Sequence, residues 1–271
     1  MRCETCFHHC ELAPGQTGLC KARINEDGKI VDANYGQVTS LALDPIEKKP
    51  LYEFYPGSLI LSVGSYGCNL KCPFCQNHEI SQQDLHQNSV YVSPEQLVQK
   101  ALELEEAGNI GIAFTYNEPM VGWEYVHDAA KLAKEAGLKT VVVTNGTAEP
   151  EILKQVLPYI DAFNVDLKAY RAEVYEQLGG DLETVKRFIE LAASQSHVEV
   201  TSLIVPGKND SVEDMEAQAK WLAQIDENIP LHITRYFPRW KSHEPATDIQ
   251  KMESLKEAAE KYLRRVYLGN V

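Results

Sequence analysis

Gly67-Cys68-Asn69-Leu70-Lys71-Cys72-Pro73-Phe74-Cys75-Gln76-Asn77 places three cysteines at C-x3-C-x2-C directly after an apolar, β-branched run. This spacing is an iron–sulfur signature, and four thiolates would close the usual cubane. Only three lie here, so one iron is left with an open position for an outside ligand. A zinc site that borrows a fourth thiolate from elsewhere is the alternative, and it leaves the downstream motifs unexplained.

Outward from this loop the chain alternates. Apolar strands are expected at 59–66, 110–116, 139–145, 162–167, 198–205 and 230–237, with a last one near 265–269. Helices are expected near 94–107, 120–136, 149–157, 181–194, 211–225 and 248–263, with apolar spacing such as Leu97, Ala101, Leu104 and a capped start at Ser93-Pro94-Glu95. Unbroken strand–helix alternation means a parallel sheet, and right-handed crossovers curl it. The expected fold is α/β: a partial (βα)6 TIM-like barrel over 58–271, preceded by a cysteine-rich segment and ordered linker over 1–57.

That first segment carries Cys3, Cys6, Cys10 and Cys20, with Pro14-Gly15 and Gly18 between the last two. Four soft ligands in a stretch too short for its own core read as a small metal-stapled knuckle, zinc or iron–sulfur. His8 and His9 are adjacent substitutes for a thiolate, or solvated side chains. A short hairpin strand is expected over Lys29–Gly36. Residues 44–57, with three prolines and no period, read as an ordered loop whose Lys48 and Lys49 face an anion or solvent.

Seven cysteines, all in the first 75 of 271 residues, are an odd number and suit metal ligation in a reducing compartment better than disulfides. A net charge of −13 argues against a general nucleic-acid binder. No apolar window approaches the roughly 18 residues of a membrane span, and nothing near the N-terminus resembles a signal peptide, so a cytoplasmic protein is expected.

In βα-barrels the loops at the C-terminal strand ends build the site. Val143-Thr144-Asn145-Gly146 offers a polar pair suited to a ribose or carboxylate. In Ala162–Lys168 the period of two puts Asp166 and Lys168 on one face, either as a structural ion pair or as partners for a zwitterion. Glu199, Thr201 and Leu203 share a face of the fifth strand, and a buried Glu199 needs a partner or a function. His232, Thr234 and Tyr236 share a face of the sixth. They are expected to face the interior near a cofactor or substrate, a core histidine being the alternative for His232.

Together the cluster loop, Asp44-Pro45-Ile46-Glu47-Lys48-Lys49-Pro50-Leu51, Thr115-Tyr116-Asn117-Glu118-Pro119, Val143–Gly146, Val165-Asp166-Leu167-Lys168 and Val266–Val271 resemble the radical S-adenosylmethionine (radical SAM) superfamily. Within it they are similar to the AmmeMemoRadiSam-system proteins, relatives of the pyruvate formate-lyase activating enzymes. The resemblance implies a [4Fe–4S] cluster on Cys68, Cys72 and Cys75, with SAM on the open iron and Phe74 near its adenine. Asn117 and Glu118 stand where family members have a Gly-Gly-Glu-Pro turn that holds the SAM amino group. The same resemblance, with the strand-end readings, puts Thr144, Asn145, Asp166, Lys168, Thr201 and His232 around the cofactor.

It further implies reductive cleavage of SAM to a 5′-deoxyadenosyl radical, fed by a one-electron donor such as flavodoxin or ferredoxin. Hydrogen abstraction from a protein or peptide, as in glycyl-radical-enzyme activation, is the expected reaction. Radical modification of a small metabolite is the alternative, and a non-catalytic metal scaffold stands third.

Overall fold

Ala162, Asn164 and Asp166 alternate with Phe163 and Val165, and the structure sorts them into two layers. Phe163 and Val165 join the large outer core under the helices, with Phe163 edge-on to Phe188 at 5.6 Å. Ala162 lies in a small inner cluster, and Asn164 donates to the Pro50 carbonyl and Thr201 Oγ1. Burying side chains of this size contributes roughly 1.5–3 kcal/mol each, so the outer layer holds the fold and the inner face is free to be polar.

The computed structural model describes residues 1–82 and 88–271. Strands β1 (Arg23–Glu26) and β2 (Lys29–Asp32) form an antiparallel hairpin, followed by β3 (Gln37–Val38), β4 (Ser40–Pro45), β5 (Leu59–Gly64), α1 (His78–Ser81) and β6 (Val90–Tyr91), which pairs with β3. The repeat then runs α2 (Pro94–Glu103), β7 (Asn109–Phe114), α3 (Trp123–Glu135), β8 (Lys139–Thr144), α4 (Pro150–Val156), β9 (Ala162–Asp166) and α5 (Ala172–Gln177). It continues with α6 (Leu182–Ala193), β10 (His197–Ile204), α7 (Val212–Ile225), β11 (Leu231–Arg235), α8 (Ile249–Ala259) and β12 (Val266–Gly269). Helix α2 starts as expected: Ser93 and Gln96 exchange bonds in a capping box, with Pro94 at the first turn. The short α1 and α5 were not expected, since neither is long enough to show a helical period.

One sheet has the order β12-β11-β10-β9-β8-β7-β5-β4. The seven strands from β5 to β12 in this sheet are parallel, and β4 is antiparallel to β5. No ladder joins β4 to β12 among the described residues, so the barrel is partial.

The segment read as a linker closes the barrel floor. Ile46, Leu51 and Phe54 pack with Ile60, Ala113, Val141 and Ala162 on the inner face of the sheet. Glu199, wholly buried, accepts from the backbone N–H of Tyr52 (3.0 Å) and Glu53 (2.9 Å) and meets His197 Nε2 (2.9 Å) and His232 Nε2 (2.6 Å). Tyr52 in turn packs against His232 and Tyr267. These partners answer the question that a carboxylate in a buried strand raised.

Burial alone would raise the Glu199 pKa, but the two histidines and two amides lower it from 4.5 to about 2. A depressed carboxylate contributes stability that is fully present above its unfolded value and is lost as pH falls through its folded one. Glu199→Gln should therefore cost on the order of 3 kcal/mol near neutrality. Chemical denaturation of both proteins should show that deficit shrinking between pH 5 and pH 2; a pH-independent deficit would mean that Glu199 acts by shape alone.

Candidate active site

The loop after β5 is held by its neighbours before it reaches its first thiol. Asn117, in the turn after β7, accepts from Ser65 N (3.1 Å) and donates to the carbonyls of Tyr66 (3.0 Å) and Gly67 (3.2 Å), while Glu118 N donates to Gly67 O. Gly67 has φ +91°, and a β-carbon there would stand 2.5 Å from the Cys20 carbonyl oxygen, so this position needs glycine twice over. Cys68, Cys72 and Cys75 then follow on one loop as free thiols.

Their surroundings suit an anionic cluster. Cys68 Sγ accepts from Leu70 N (3.4 Å) and Asn145 Nδ2 (3.7 Å), and Cys75 Sγ meets Ser81 Oγ at 3.2 Å. Leu70 and Leu178 wall the thiols in, with Lys71 N bonded to Leu178 O. Burial pushes the Cys68 thiol well above its ordinary range and that of Cys72 up to about 11, with the Lys168 ammonium opposing both. N–H donors and a cation around dry sulfurs are what an iron–sulfur site supplies. The three thiols, on one loop with no fourth cysteine beside them, fit a cluster that leaves a position open better than a closed four-ligand zinc site.

Glu118, Thr144 and Asn145 come together as one buried clamp. Glu118 accepts from Thr144 Oγ1 (2.6 Å), Asn145 N (2.7 Å) and Met120 N (3.0 Å), which ties the end of β7 to that of β8. Burial pushes its pKa up to about 7 against these donors. The side chains of Asn117 and Glu118 are thus engaged with the framework, and the Asn145 amide reaches both Cys68 and Asn69 Oδ1 (3.0 Å).

Asp166 and Lys168 pair at 2.8 Å beside the thiols, with the carboxylate the more open of the two. Burial works against the lysine charge, but Asp166 and Cys72 hold its pKa above the ordinary value. Phe74 is partly buried and edge-on to Tyr236 at 6.4 Å. The β11–α8 connection crosses the loop there: Lys241 N donates to Pro73 O, and Trp240 stacks on His78 at 5.3 Å.

Thr201 and His232 are engaged with neighbouring strands. Thr201 exchanges bonds with Asn164 (2.9 and 3.1 Å), which also holds the Pro50 carbonyl, and His232 is committed to Glu199. Both face inward as the period of two requires, and in register Thr201 stands opposite Asp166 on one side and His232 on the other. Asn69, Leu178 and Trp240 escaped the sequence reading; only Asn69, inside the cysteine motif, carried a signal.

Cys3, Cys6, Cys10 and Cys20 line one small cavity, which Asn69 also borders. His8 Nε2 donates to the Asn69 carbonyl at 2.9 Å, and His9 lies between Glu4 and Glu149.

Comparison with known proteins agrees with this geometry. The sequence profile of the radical SAM superfamily matches residues 62–222. The uncharacterized protein MJ0808 of Methanocaldococcus jannaschii is 38% identical over the whole chain and 81% of its own length. A pyruvate formate-lyase-activating enzyme from Clostridium pasteurianum is 26% identical over 74% of the chain and 88% of its own. In fold, the chain is similar to Streptococcus suis SuiB bound to the precursor peptide SuiA, with a TM-score of 0.59 at 14% identity over 75% of this chain and 47% of that one.

Asn117→Ala removes three bonds that hold the loop. Loss of these three hydrogen bonds should cost roughly 2–4 kcal/mol, which for a chain of this size lowers Tm by about 5–10 °C. Anaerobic reconstitution of the variant should also retain less iron. An unchanged Tm with full iron loading would show that the loop holds its own shape.

Proposed function

The chain belongs to the radical SAM superfamily and is a radical SAM enzyme, and we propose from this premise that it abstracts hydrogen from a protein or peptide substrate, in the manner of glycyl-radical-enzyme activating enzymes. The observation that carries the reading is the loop of Cys68, Cys72 and Cys75, donor-lined and walled by Leu70 and Leu178, at the C-terminal end of an open parallel barrel.

The superfamily's groups are a [4Fe–4S] cluster and SAM. Cys68, Cys72 and Cys75 would hold the cluster, with one iron left to SAM. When bound, the cluster would supply one electron for reductive cleavage of SAM, and SAM the group that abstracts hydrogen from a substrate C–H bond.

The chain's own residues bind and exclude water. Lys168 offsets the negative charge of the thiolates, while the open carboxylate of Asp166 is suited to an ammonium. Phe74 and Tyr236 give an apolar wall for a planar base. The floor around Glu199 shuts the far end of the barrel to solvent. The gap between β4 and β12 favours a substrate that enters as an extended segment, and activating-enzyme relatives point the same way. Flavodoxin or ferredoxin would supply the electron, and a second metal at Cys3, Cys6, Cys10 and Cys20 belongs to the same reading.

Anaerobically reconstituted enzyme with SAM and dithionite should form 5′-deoxyadenosine, and Cys72→Ala should form none. Lys168→Ala should raise the SAM Kd roughly tenfold, about 1.4 kcal/mol, with the iron content unchanged. Incubation with deuterated cell extract, separated by size, decides the substrate class. Deuterium should enter 5′-deoxyadenosine from the macromolecular fraction; label arriving only from small molecules would assign a metabolite instead.

A further inference from the structure

The N-terminal cysteines touch the cluster loop on both sides of its first ligand. Cys20 presses its carbonyl on Gly67, just before Cys68. Asn69, just after Cys68, borders the cavity that the four N-terminal cysteines line, and its carbonyl accepts from His8 Nε2 at 2.9 Å. Its buried side-chain amide donates to Thr147 Oγ1 (2.8 Å) and accepts from Asn145 Nδ2, which also reaches Cys68 Sγ. A bridge between Cys6 and Ala148 and a bond from Glu149 N to Thr5 O dock the segment beside these residues. Asn69 therefore stands both on the wall of the four-cysteine cavity and next in the chain to Cys68.

We propose that Cys3, Cys6, Cys10 and Cys20 hold an iron–sulfur cluster that relays single electrons to the Cys68 loop through Asn69. The proposal rests on the radical SAM reading of that loop. Four thiols on one cavity can complete a cubane with no outside ligand, unlike the three of the loop. Cys3, Cys6 and Cys20 are buried and Cys10 lies at the rim, which puts one ligand toward solvent on a cavity that Asn69 borders. A purely structural staple has no need to abut the backbone on both sides of a catalytic ligand.

The step balances as a one-electron transfer. A reduced low-potential donor of the flavodoxin or ferredoxin class loses one electron. The N-terminal cluster gains it and passes it on, and the loop cluster ends one electron more reduced. No bond forms and no proton moves.

The test uses the full chain, reconstituted with iron and sulfide. The Cys68→Ala/Cys72→Ala/Cys75→Ala triple variant should keep about half the iron and sulfide and, when reduced, an electron paramagnetic resonance signal that SAM does not perturb. Cys6→Ala/Cys10→Ala should keep the SAM-perturbed signal and lose the other. In Asn69→Ala with both clusters loaded, reduced flavodoxin should develop the SAM-perturbed signal about tenfold more slowly, while the other signal appears at its normal rate. Zinc in place of iron in the triple variant, or no metal in it while its circular dichroism is native, overturns the proposal. If that variant does not fold, wild-type iron and spin counts equal to a single cluster overturn it. An unchanged rate in Asn69→Ala refutes the relay. Failure of the radical SAM reading looks different: wild-type enzyme would form no 5′-deoxyadenosine with dithionite, whatever its second cluster holds.

Discussion

The Asn117 side chain fixes the cluster loop to the strand next door, and the site depends on that contact. Where a parallel strand ends, its backbone groups lose their ladder partners and must find others. Here one amide takes up Ser65 N and the carbonyls of Tyr66 and Gly67. The loop therefore leaves β5 on a path set by β7, and the three thiols inherit it. Glu118 then fastens β7 to β8 by the same logic, using an acid whose three acceptor bonds replace three missing donor partners.

The barrel divides its labour along its axis. At the floor, inward groups satisfy one another: Glu199 with two histidines and two amides, Asn164 with Thr201 and Pro50. At the mouth, inward groups keep capacity for something else, as Asp166 and the thiols do. A buried polar group is stable only when paired. The polar residues that are paired among themselves thus mark structure, and those arranged around sulfur mark chemistry.

Much of this was legible from residues alone. The cysteine spacing located the site, and alternation of period two with helical spacing located the seven parallel strands and their helices. Partnership was not legible. Thr201 and His232 carry the right face for a cofactor, yet their partners Asn164 and Glu199 come from neighbouring strands, which no local pattern encodes. The stretch 44–57 has no period because it plugs a round hole rather than packing on a flat face, so it read as a loop. Asn69 lay inside the motif, but its side-chain partners Asn145 and Thr147 lie 76 and 78 positions later in the chain.

The first fifth of the chain joins the two ends of the barrel, and this follows from the pairing of β4. Antiparallel register from Ser40 opposite Gly64 to Asp44 opposite Ile60 lays β4 along the full height of β5. Its start leads back to the cysteines at the mouth, and its end leads into the floor. Near that end Asp44 bonds Lys49 Nζ (2.8 Å) and accepts from Tyr116 Oη (2.6 Å), and these partners, against the cost of burial, hold its carboxyl well below the usual range. Tyr116 reaches down from the mouth, its ring against Gly64, where a β-carbon would come within 2.8 Å. Its left-handed backbone, φ +73°, is strained for a tyrosine, and the Asn77 amide on its carbonyl and Asp44 on its hydroxyl hold it there. The next residue is Asn117. A slip of one residue in β4 would turn Asp44 to the other face, free Tyr116, and loosen the turn that carries Asn117. The register of one edge strand thereby sets the position of the thiols at the opposite end of the barrel.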